Sequence, residues 1–273
     1  MKVTDAHINE TLAAAAFSRQ AGKFDELYSS DTIIKYKRAR VRNHLSNLIF
    51  PGQFILELNC GTGDDAIWLA RQNCNVHATD ISSGMQKVLK QKIKDYGLEK
   101  LITSEICSFT ALENLQDPGP YDLIFSNFAG LNCTGDLNKV LASFTGLLKP
   151  GGIVTLVILP KFCLWEFLLI FKGKLRTATR RLFSRHGTVA RVEKTNFKCW
   201  YYNPSYVIKH LKKDFNILSI DGLCTIVPPS YIENFAEKFP RLFSMLCKKE
   251  IAWKNKWPWK YIGDYYIISL RKK

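Results

Sequence analysis

Short apolar segments alternate along the chain with longer segments that have a helical spacing of apolar residues. One example of the helical spacing is the set Met85, Leu89 and Ile93, which places three apolar side chains on one face. The apolar segments predict five strands, at residues 54–58, 75–79, 101–106, 121–125 and 153–159. Because predicted helices lie between these strands, the pattern predicts an α/β fold with a doubly wound parallel sheet.

A glycine turn follows the first predicted strand. Gly61 and Gly63 lie two residues apart, and Asp64 and Asp65 then open a predicted helix. Glycines let a backbone approach a ligand closely, and the start of a helix offers unpaired N–H groups. The second strand ends at Asp80, where a carboxylate is placed to accept hydrogen bonds from both hydroxyls of a ribose. This order of strand, turn, helix, strand and acid predicts a nucleotide-binding βαβ unit.

The glycine turn by itself fits two kinds of cofactor. Gly61, Gly63 and Ala66 also satisfy the dinucleotide pattern G-x-G-x-x-A, which is compatible with an NAD(P)-dependent oxidoreductase. Two features favour another ligand. Glu57 lies inside the first strand, where an unpartnered carboxylate is costly to bury, and the pair Asp64-Asp65 is a poor seat for a pyrophosphate. Both features favour a ligand with a positively charged end and no phosphate.

At these residues the chain resembles the class I S-adenosylmethionine-dependent methyltransferases, of the small-molecule type found in ubiquinone and menaquinone biosynthesis. The resemblance covers roughly residues 20–160. It implies a Rossmann-like, seven-stranded sheet, whose last strand at 265–270 runs antiparallel between the fifth and sixth strands, and S-adenosylmethionine as the cofactor. Four blocks carry it: LELNCGTG at 56–63, DIS at 80–82 with Met85, YDLI at 121–124 and LKPGG at 148–152.

The resemblance also implies where the cofactor binds. In the family an acid commonly follows the third strand and binds the adenine amino group, but here Cys107 and Ser108 occupy that place. A backbone group or Ser108 is the expected substitute. Asn127 follows the fourth strand next to the expected transfer site, and Tyr28 belongs to a segment that folds over the cofactor in the family. The expected cofactor-binding residues are Tyr28, Glu57, Asn59, Gly61, Gly63, Asp80, Ile81, Met85, Cys107, Ser108 and Asn127.

The composition changes after the fifth strand, which divides the chain into a core and an insertion. We expect residues 1–160 and 201–273 to form the methyltransferase core, with lid helices at 1–50, and residues 161–200 to form a helical cap over the substrate. Residues 162–171 are densely apolar, and 172–185 contain six Lys or Arg residues and no acid. This composition suits a small hydrophobic or lipid-like acceptor, or peripheral contact of residues 161–185 with a membrane. The alternative is a helix that packs on the core and carries a basic, solvated tail.

The sequence identifies the catalytic group less clearly than the cofactor site. Methyl transfer to an oxygen or nitrogen depends mostly on proximity and alignment, although a general base can contribute. His186, Glu166 and Tyr28 are the candidates for such a base, because His186 and Glu166 lie in the expected cap and Tyr28 in the expected lid. No pattern indicates a Ser-His-Asp set, a metal cluster or a phosphate-binding G-x-x-x-x-G-K loop.

Charge and cysteine content leave further alternatives open. The net charge of +15 is compatible with a nucleic-acid methyltransferase or a non-catalytic membrane-docking module, but the fourth strand lacks the Asn/Asp-Pro-Pro-aromatic signature of nucleobase methylation. Nucleic acid is therefore not the expected partner. Eight cysteines without a C-x-x-C pair, no apolar run of about 18 residues and an N-terminus without a signal region predict a cytoplasmic protein, with the inner face of the membrane as an alternative position. The sequence gives no oligomeric state.

Overall fold

A computed structural model describes residues 5–273 of the chain. A seven-stranded sheet forms the centre, in the order β3-β2-β1-β4-β5-β9-β8. Its strands are β1 Phe54–Leu58, β2 Asn75–Asp80, β3 Ile102–Ile106, β4 Tyr121–Ser126, β5 Leu148–Ile158, β8 Phe215–Leu223 and β9 Tyr265–Lys272; a separate hairpin contains β6 Thr188–Val192 and β7 Thr195–Cys199. The helices are α1 Asp5–Ser29, α2 Thr32–Leu45, α3 Asp64–Arg71, α4 Ser83–Asp95, α5 Leu137–Leu147, α6 Leu164–Phe167, α7 Leu175–Thr179, α8 Pro204–Leu211, α9 Phe235–Lys238 and α10 Pro240–Trp253.

The predicted topology is confirmed. Strand β9 pairs antiparallel with both β5 and β8. The last strand of the chain therefore lies between β5 and β8, which are the fifth and sixth strands of the central sheet in chain order. The other pairs, β3-β2, β2-β1, β1-β4 and β4-β5, are parallel. The order reverses at β1, where β2 and β4 lie on either side. Open sheets of this kind bind ligands at the carboxyl ends of the strands beside such a reversal.

Apolar side chains cover both faces of the sheet. In β1, Ile55 faces one apolar cluster while Leu56 and Leu58 face the other; in β4, Phe125 and Ile124 are divided in the same way. A parallel sheet with helices on both faces needs strands that are apolar almost throughout. Glu57 is therefore an exception inside β1, and its surroundings determine what it can do.

Helix α1 lies across the carboxyl ends of β2 and β3. The hydroxyl of Ser18 hydrogen-bonds that of Ser82 at 2.7 Å and accepts from the Gly84 backbone N–H at 3.3 Å. A side chain on Gly84 would lie 2.5 Å from the Ser18 carbonyl oxygen, so glycine permits this close contact. The region predicted to form lid helices thus contains α1 and α2, and its role as a lid stays a prediction. Residues 1–4 of the expected lid region, and with them part of the N-terminus considered for targeting, lie outside the described residues.

The cap is helical only in its first half. Residues 164–179 form short helical turns, as predicted for a helical cap, but Thr188–Val192 and Thr195–Cys199 pair as an antiparallel hairpin that the prediction did not include. The hairpin turns at Glu193 and Lys194, with φ of 45° and 62°. Two consecutive positive φ angles match the turn that joins tightly twisted strands, but its usual Asn-Gly or Asp-Gly signal is absent here.

The hairpin packs on helix α1. Phe197 lies against Phe17 of α1, with ring centroids 5.8 Å apart. The side chain of Asn9 donates to the carbonyl oxygens of Cys133 and Lys198 at 2.7 and 3.1 Å, and its Oδ1 accepts from the Lys198 N–H at 2.6 Å. The hairpin therefore holds the first turns of α1 over the edge of the sheet. In residues 5–273, no helix is both long and apolar enough to cross a bilayer.

Candidate functional site

A cavity opens where the carboxyl ends of β1, β2 and β4 meet beneath α1. The empty space in the cavity is about 950 Å³, and this value includes the open solvent at its mouth. The structure brings seven of the expected cofactor-binding residues together in its lining: Glu57, Asn59, Gly61, Asp80, Ile81, Met85 and Asn127.

Gly61 and Asp80 form the centre of the cavity. The carboxylate of Asp80 accepts the backbone N–H of Gly61 at 2.9 Å on one oxygen and that of Ser82 at 2.8 Å on the other. Each oxygen retains a lone pair for a ligand. Gly61 has a φ of 57°, and a side chain built on it would meet nothing within 4 Å, so its backbone faces open space. Burial raises the pKa of Asp80, and its two backbone hydrogen bonds oppose that shift.

Glu57 is a buried acid with one unpartnered carboxylate oxygen. Its side chain lines the cavity and the residue is 2% exposed, yet Oε2 finds no hydrogen-bond partner within residues 5–273. Burial, followed by the nearby charge of Asp65, raises the pKa of Glu57 well above its ordinary value. An orphaned carboxylate oxygen at a cavity wall is costly unless a ligand donates to it. The arrangement fits an ammonium group.

The two acids at the start of α3 do not have this role. Asp65 is paired with Arg42 at 2.9 Å and with Arg38 at 3.5 Å, and Asp64 is paired with Arg38 at 3.2 Å. The inference that this pair suits a positively charged ligand is therefore wrong, because two arginines of α2 already neutralise it. The sequence did not reveal the pairing, since the arginines lie more than 20 residues before their partners.

Asn59 and Asn127 shape the cavity through bonds to the protein. Asn59 donates to the Asn127 carbonyl oxygen at 2.9 Å and accepts from the Ser126 hydroxyl at 2.6 Å. Asn127 donates to Asp65 at 2.7 Å and accepts from the Phe128 N–H at 2.8 Å. Both amide groups are thus engaged within the framework. They fix the loop after β4, including Phe128 at a φ of 44°.

Four of the expected cofactor-binding residues lie outside the lining. Tyr28 borders a neighbouring depression, and Phe24, one turn earlier on α1, faces the cavity instead. Gly63 is required by packing, because a side chain there would lie 2.2 Å from Leu89. Cys107 is buried beside the cavity, and Ser108 directs its hydroxyl to Glu10 at 2.7 Å. A direct cofactor contact from any of the four has no support in their placement.

None of the three expected bases lines the cavity. Tyr28 is placed as above, and His186 is exposed on the cap. Glu166 is buried and accepts hydrogen bonds from Arg180 and Arg181, both at 2.7 Å. Burial alone would raise the pKa of Glu166, but these arginines outweigh it and lower the pKa. Glu166 therefore anchors the cap as a permanent anion, which is unsuited to accepting a proton.

The sequence missed several lining residues from α1 and from the loops after β3 and β4. These are Glu10, Phe17, Phe24, Phe109 and Cys133. The signal that was available is the small-residue face of α1, where Ala13 and Ala14 also line the cavity. A helix with alanines on one face can lie close to a ligand, but the sequence does not show which surface it covers.

Acidic side chains outnumber basic ones in the lining. Glu10, Glu57 and Asp80 have no cationic partner among the described ion pairs, whereas Arg38 is committed to Asp64 and Asp65. Carboxylates in a partly desolvated cavity attract cations and repel phosphates. The cavity therefore fits a nucleoside that carries a positive charge and disfavours a pyrophosphate.

The sequence of this chain matches known methyltransferases. Residues 55–152 match a family described as a methyltransferase domain. An uncharacterised protein of Methanocaldococcus jannaschii is 27% identical in an alignment of 232 positions, which covers 81% of this chain and 85% of that protein. A demethylmenaquinone methyltransferase of Bacillus cytotoxicus is 31% identical over 141 residues, or 50% of this chain. That match spans 58% of the enzyme's own length.

The fold of this chain is similar to that of a solved methyltransferase structure. A structure from Listeria monocytogenes, described as an S-adenosylmethionine-dependent methyltransferase, aligns with a TM-score of 0.62 over 88% of this chain and 99% of that chain. Its sequence is 16% identical, so this likeness concerns the fold. Together with the sequence matches, it confirms the resemblance found in the sequence. Residues 55–152 are thus similar to a methyltransferase domain, about half of the chain is similar to the demethylmenaquinone methyltransferases, and the chain has the Rossmann-like fold of S-adenosylmethionine-dependent methyltransferases.

Proposed function

We propose that this chain transfers a methyl group from S-adenosylmethionine to an oxygen or nitrogen of a small, hydrophobic or lipid-like acceptor. The observation that carries the proposal is the cavity, whose lining contains Asp80, the open backbone at Gly61 and Glu57 with an unpartnered Oε2. The relatives named demethylmenaquinone methyltransferases support an acceptor of this kind.

Each residue of the cavity has a binding role in this proposal. Asp80 accepts the two ribose hydroxyls, and Glu57 accepts the ammonium of the methionine moiety. Gly61 lets the backbone approach the ligand, since a side chain there would project into open space. Ile81 and Met85 supply apolar contacts for the adenine ring. Met85 is buried and lines the cavity.

S-adenosylmethionine supplies a methyl group that is bound to a sulfonium sulfur. When the methyl group is transferred, this sulfur leaves as a neutral thioether, which is a good leaving group. The protein then has to align the acceptor and exclude water. Phe17, Phe24 and Phe128 line the cavity beside its acidic part. Aromatic faces stabilise a nearby cation and keep water away from it. The chain therefore accelerates transfer by positioning, with no base assigned.

The test of the proposed function is transfer of a labelled methyl group from S-adenosylmethionine into a total lipid and metabolite extract. We expect label in one or a few organic-soluble products. Boiled protein serves as the control. Label in nucleic acid instead would favour the nucleic-acid alternative, and an absence of label from every fraction would contradict the proposed activity.

The raised pKa of Glu57 predicts that cofactor binding depends on pH. Below that pKa the carboxyl group is protonated in the unbound protein, and it has to lose the proton to pair with an ammonium. Affinity for S-adenosylmethionine is therefore expected to rise with pH until it exceeds the pKa of Glu57. The charges facing Glu57 are those of Asp65, Arg38, Arg42 and Asp64.

Glu57→Gln is expected to weaken binding and to remove this component of the pH dependence. Calorimetry in two buffers of different ionisation enthalpy measures the protons released on binding. A Glu57→Gln variant that releases as many protons as the unaltered chain would contradict the role given to Glu57.

We also propose that residues 161–185 contact an anionic membrane surface from which a lipid-like acceptor is taken. Phe171 and Phe183 are 83% and 80% exposed. Residues 172–185, which follow Phe171 and include Phe183, contain no acid. The exposed cations of this segment are Lys172, Lys174, Arg176, Arg180 and Arg185. Exposed aromatics beside cations suit the headgroup region of an anionic bilayer, where each cation contributes about 1 kcal/mol.

Replacing both Phe171 and Phe183 with serine is expected to reduce co-sedimentation with phosphatidylglycerol vesicles about 10-fold or more. The matched control is Phe50→Ser, which removes a phenylalanine that is 65% exposed and lies outside the segment. Phosphatidylcholine vesicles test the charge requirement. Equal sedimentation of the double variant and the control variant would indicate that the segment is a solvated part of the cap.

A further inference from the structure

Glu10 is a buried carboxylate that the proposed chemistry has not yet used. It lies on α1, is 2% exposed and lines the cavity. Its Oε2 accepts hydrogen bonds from the hydroxyls of Ser108 at 2.7 Å and Thr110 at 2.8 Å. Its Oε1 has no hydrogen-bond partner within residues 5–273. One oxygen is thus fixed by the protein while the other is buried without a donor.

The unused oxygen indicates a missing donor. An ionised carboxylate can only accept hydrogen bonds, and leaving a buried acceptor unpaired costs free energy. Several hydrogen bonds nearby hold Glu10 in this position. Ser108 is itself fixed by the Thr110 N–H at 3.1 Å, and Asn9, the preceding residue of α1, is bonded to the loop after β4 and to the hairpin. The arrangement favours a donor from a ligand.

The strand order shows which part of a nucleoside lies near Glu10. Asp80 at the end of β2 marks the ribose, and Glu57 in β1 lies on the side toward β4. The base therefore extends to the other side, toward β3. Ile81 and Phe109 provide apolar lining there. In the sequence, Phe109 lies between Ser108 and Thr110, whose hydroxyls bond Glu10. The Glu10 carboxylate is therefore close to this apolar part of the lining.

We propose that Oε1 of Glu10 accepts a hydrogen bond from the exocyclic amino group of the adenine. This proposal rests on the proposed function and specifies how that site recognises its base. The loop after β3 has no carboxylate in residues 106–110, and α1 supplies one instead. Ser108, expected to contact the base itself, is a positioning residue that acts through Glu10.

This assignment gives the lid a part in recognition. Helix α1 covers the base and also reads it, because the reading carboxylate lies on the helix. Its position depends on Ser18 against Ser82 at one end and on Asn9 against the hairpin at the other. Recognition of the base is therefore linked to the position of α1 over the cavity.

The test uses calorimetry to compare two ligands of the same protein. One is S-adenosylhomocysteine, and the other is its analogue in which hydrogen replaces the exocyclic amino group of the adenine. The ratio of their dissociation constants cancels general damage to the site. The unaltered chain is expected to prefer S-adenosylhomocysteine about 10-fold or more, the effect of a hydrogen bond to a charged acceptor. Glu10→Ala is expected to reduce the preference to about 2-fold or less.

Three further variants complete the test. Glu10→Gln, which keeps the shape of the side chain, is expected to show an intermediate preference, and it replaces Glu10→Ala if that variant does not fold. Ser108→Ala is expected to lower the preference in part. Glu26→Gln, an exposed glutamate on the same helix, is expected to leave it unchanged.

An unchanged preference in both Glu10 variants would overturn the role of Glu10 while leaving the proposed function intact. The absence of any preference in the unaltered chain would do the same. If the unaltered chain binds neither ligand, the proposed function fails first, and the role of Glu10 fails with it. Binding of S-adenosylhomocysteine therefore separates the two failures.

Discussion

Asp80→Ala is expected to weaken binding of S-adenosylhomocysteine about 100-fold or more. The change removes the acceptor for two ribose hydroxyls, and each hydrogen bond to a charged group contributes about 1.5–3 kcal/mol. It also leaves the N–H groups of Gly61 and Ser82 without their acceptor, because both now donate to the Asp80 carboxylate. The glycine turn then loses the contact that orients it. Isothermal titration calorimetry measures the loss directly.

The control for this variant is Asp95→Ala, which removes an exposed carboxylate at the far end of α4. It changes the net charge by the same amount and is expected to leave the dissociation constant within about 2-fold, because exposed charges at a distance are screened. Equal affinities for the Asp80→Ala variant and the unaltered chain would show that the nucleoside is held elsewhere.

Arg181→Ala is expected to lower the free energy of unfolding by about 3–5 kcal/mol, the usual cost of breaking a buried ion pair from one side. The buried Arg181 guanidinium bridges Glu166 at 2.7 Å and Asp264 at 2.6 Å, and it also donates to the Asp264 carbonyl oxygen at 2.9 Å. Without it, Asp264 loses its guanidinium partner. This contact ties the cap to the start of β9. Denaturant unfolding measures the loss.

Arg180→Ala provides the matched control for Arg181→Ala. Arg180 bonds the same acid, Glu166, also at 2.7 Å, but its side chain is 45% exposed. Ion pairs open to solvent typically contribute about 1 kcal/mol or less, so we expect a much smaller change in stability. Comparable losses in the two variants would mean that burial does not determine the strength of this cluster.

The sheet and the centre of the site could be predicted from the sequence because both depend on local patterns. An apolar run such as Phe54–Leu58 signals a buried strand wherever its partners lie, and the glycine turn shows its backbone geometry in its residue types. The position of Asp80 follows from the end of its strand. Glu57 stands out in the sequence for the same reason, because it is a charged residue inside an apolar run.

The remaining features depend on contacts between distant parts of the chain. Glu10 meets Ser108 across 98 residues, and Arg181 meets Asp264 across 83. His44 bonds Asp221 at 3.3 Å across 177 residues and Ser269 at 2.8 Å across 225. In each case the residue type was visible, while its partner was set by packing that no local period shows. The hairpin at 188–199 was missed because its turn residues, Glu193 and Lys194, are untypical.

The most direct test of the central claim is calorimetric titration of the unaltered chain with S-adenosylmethionine and, separately, with NADH. The cavity has two acids available for a positively charged nucleoside, Glu57 and Asp80, and its arginine is already paired. We predict saturable binding of one S-adenosylmethionine per chain and no binding of NADH at the same concentrations. Saturable binding of NADH without binding of S-adenosylmethionine would contradict the account.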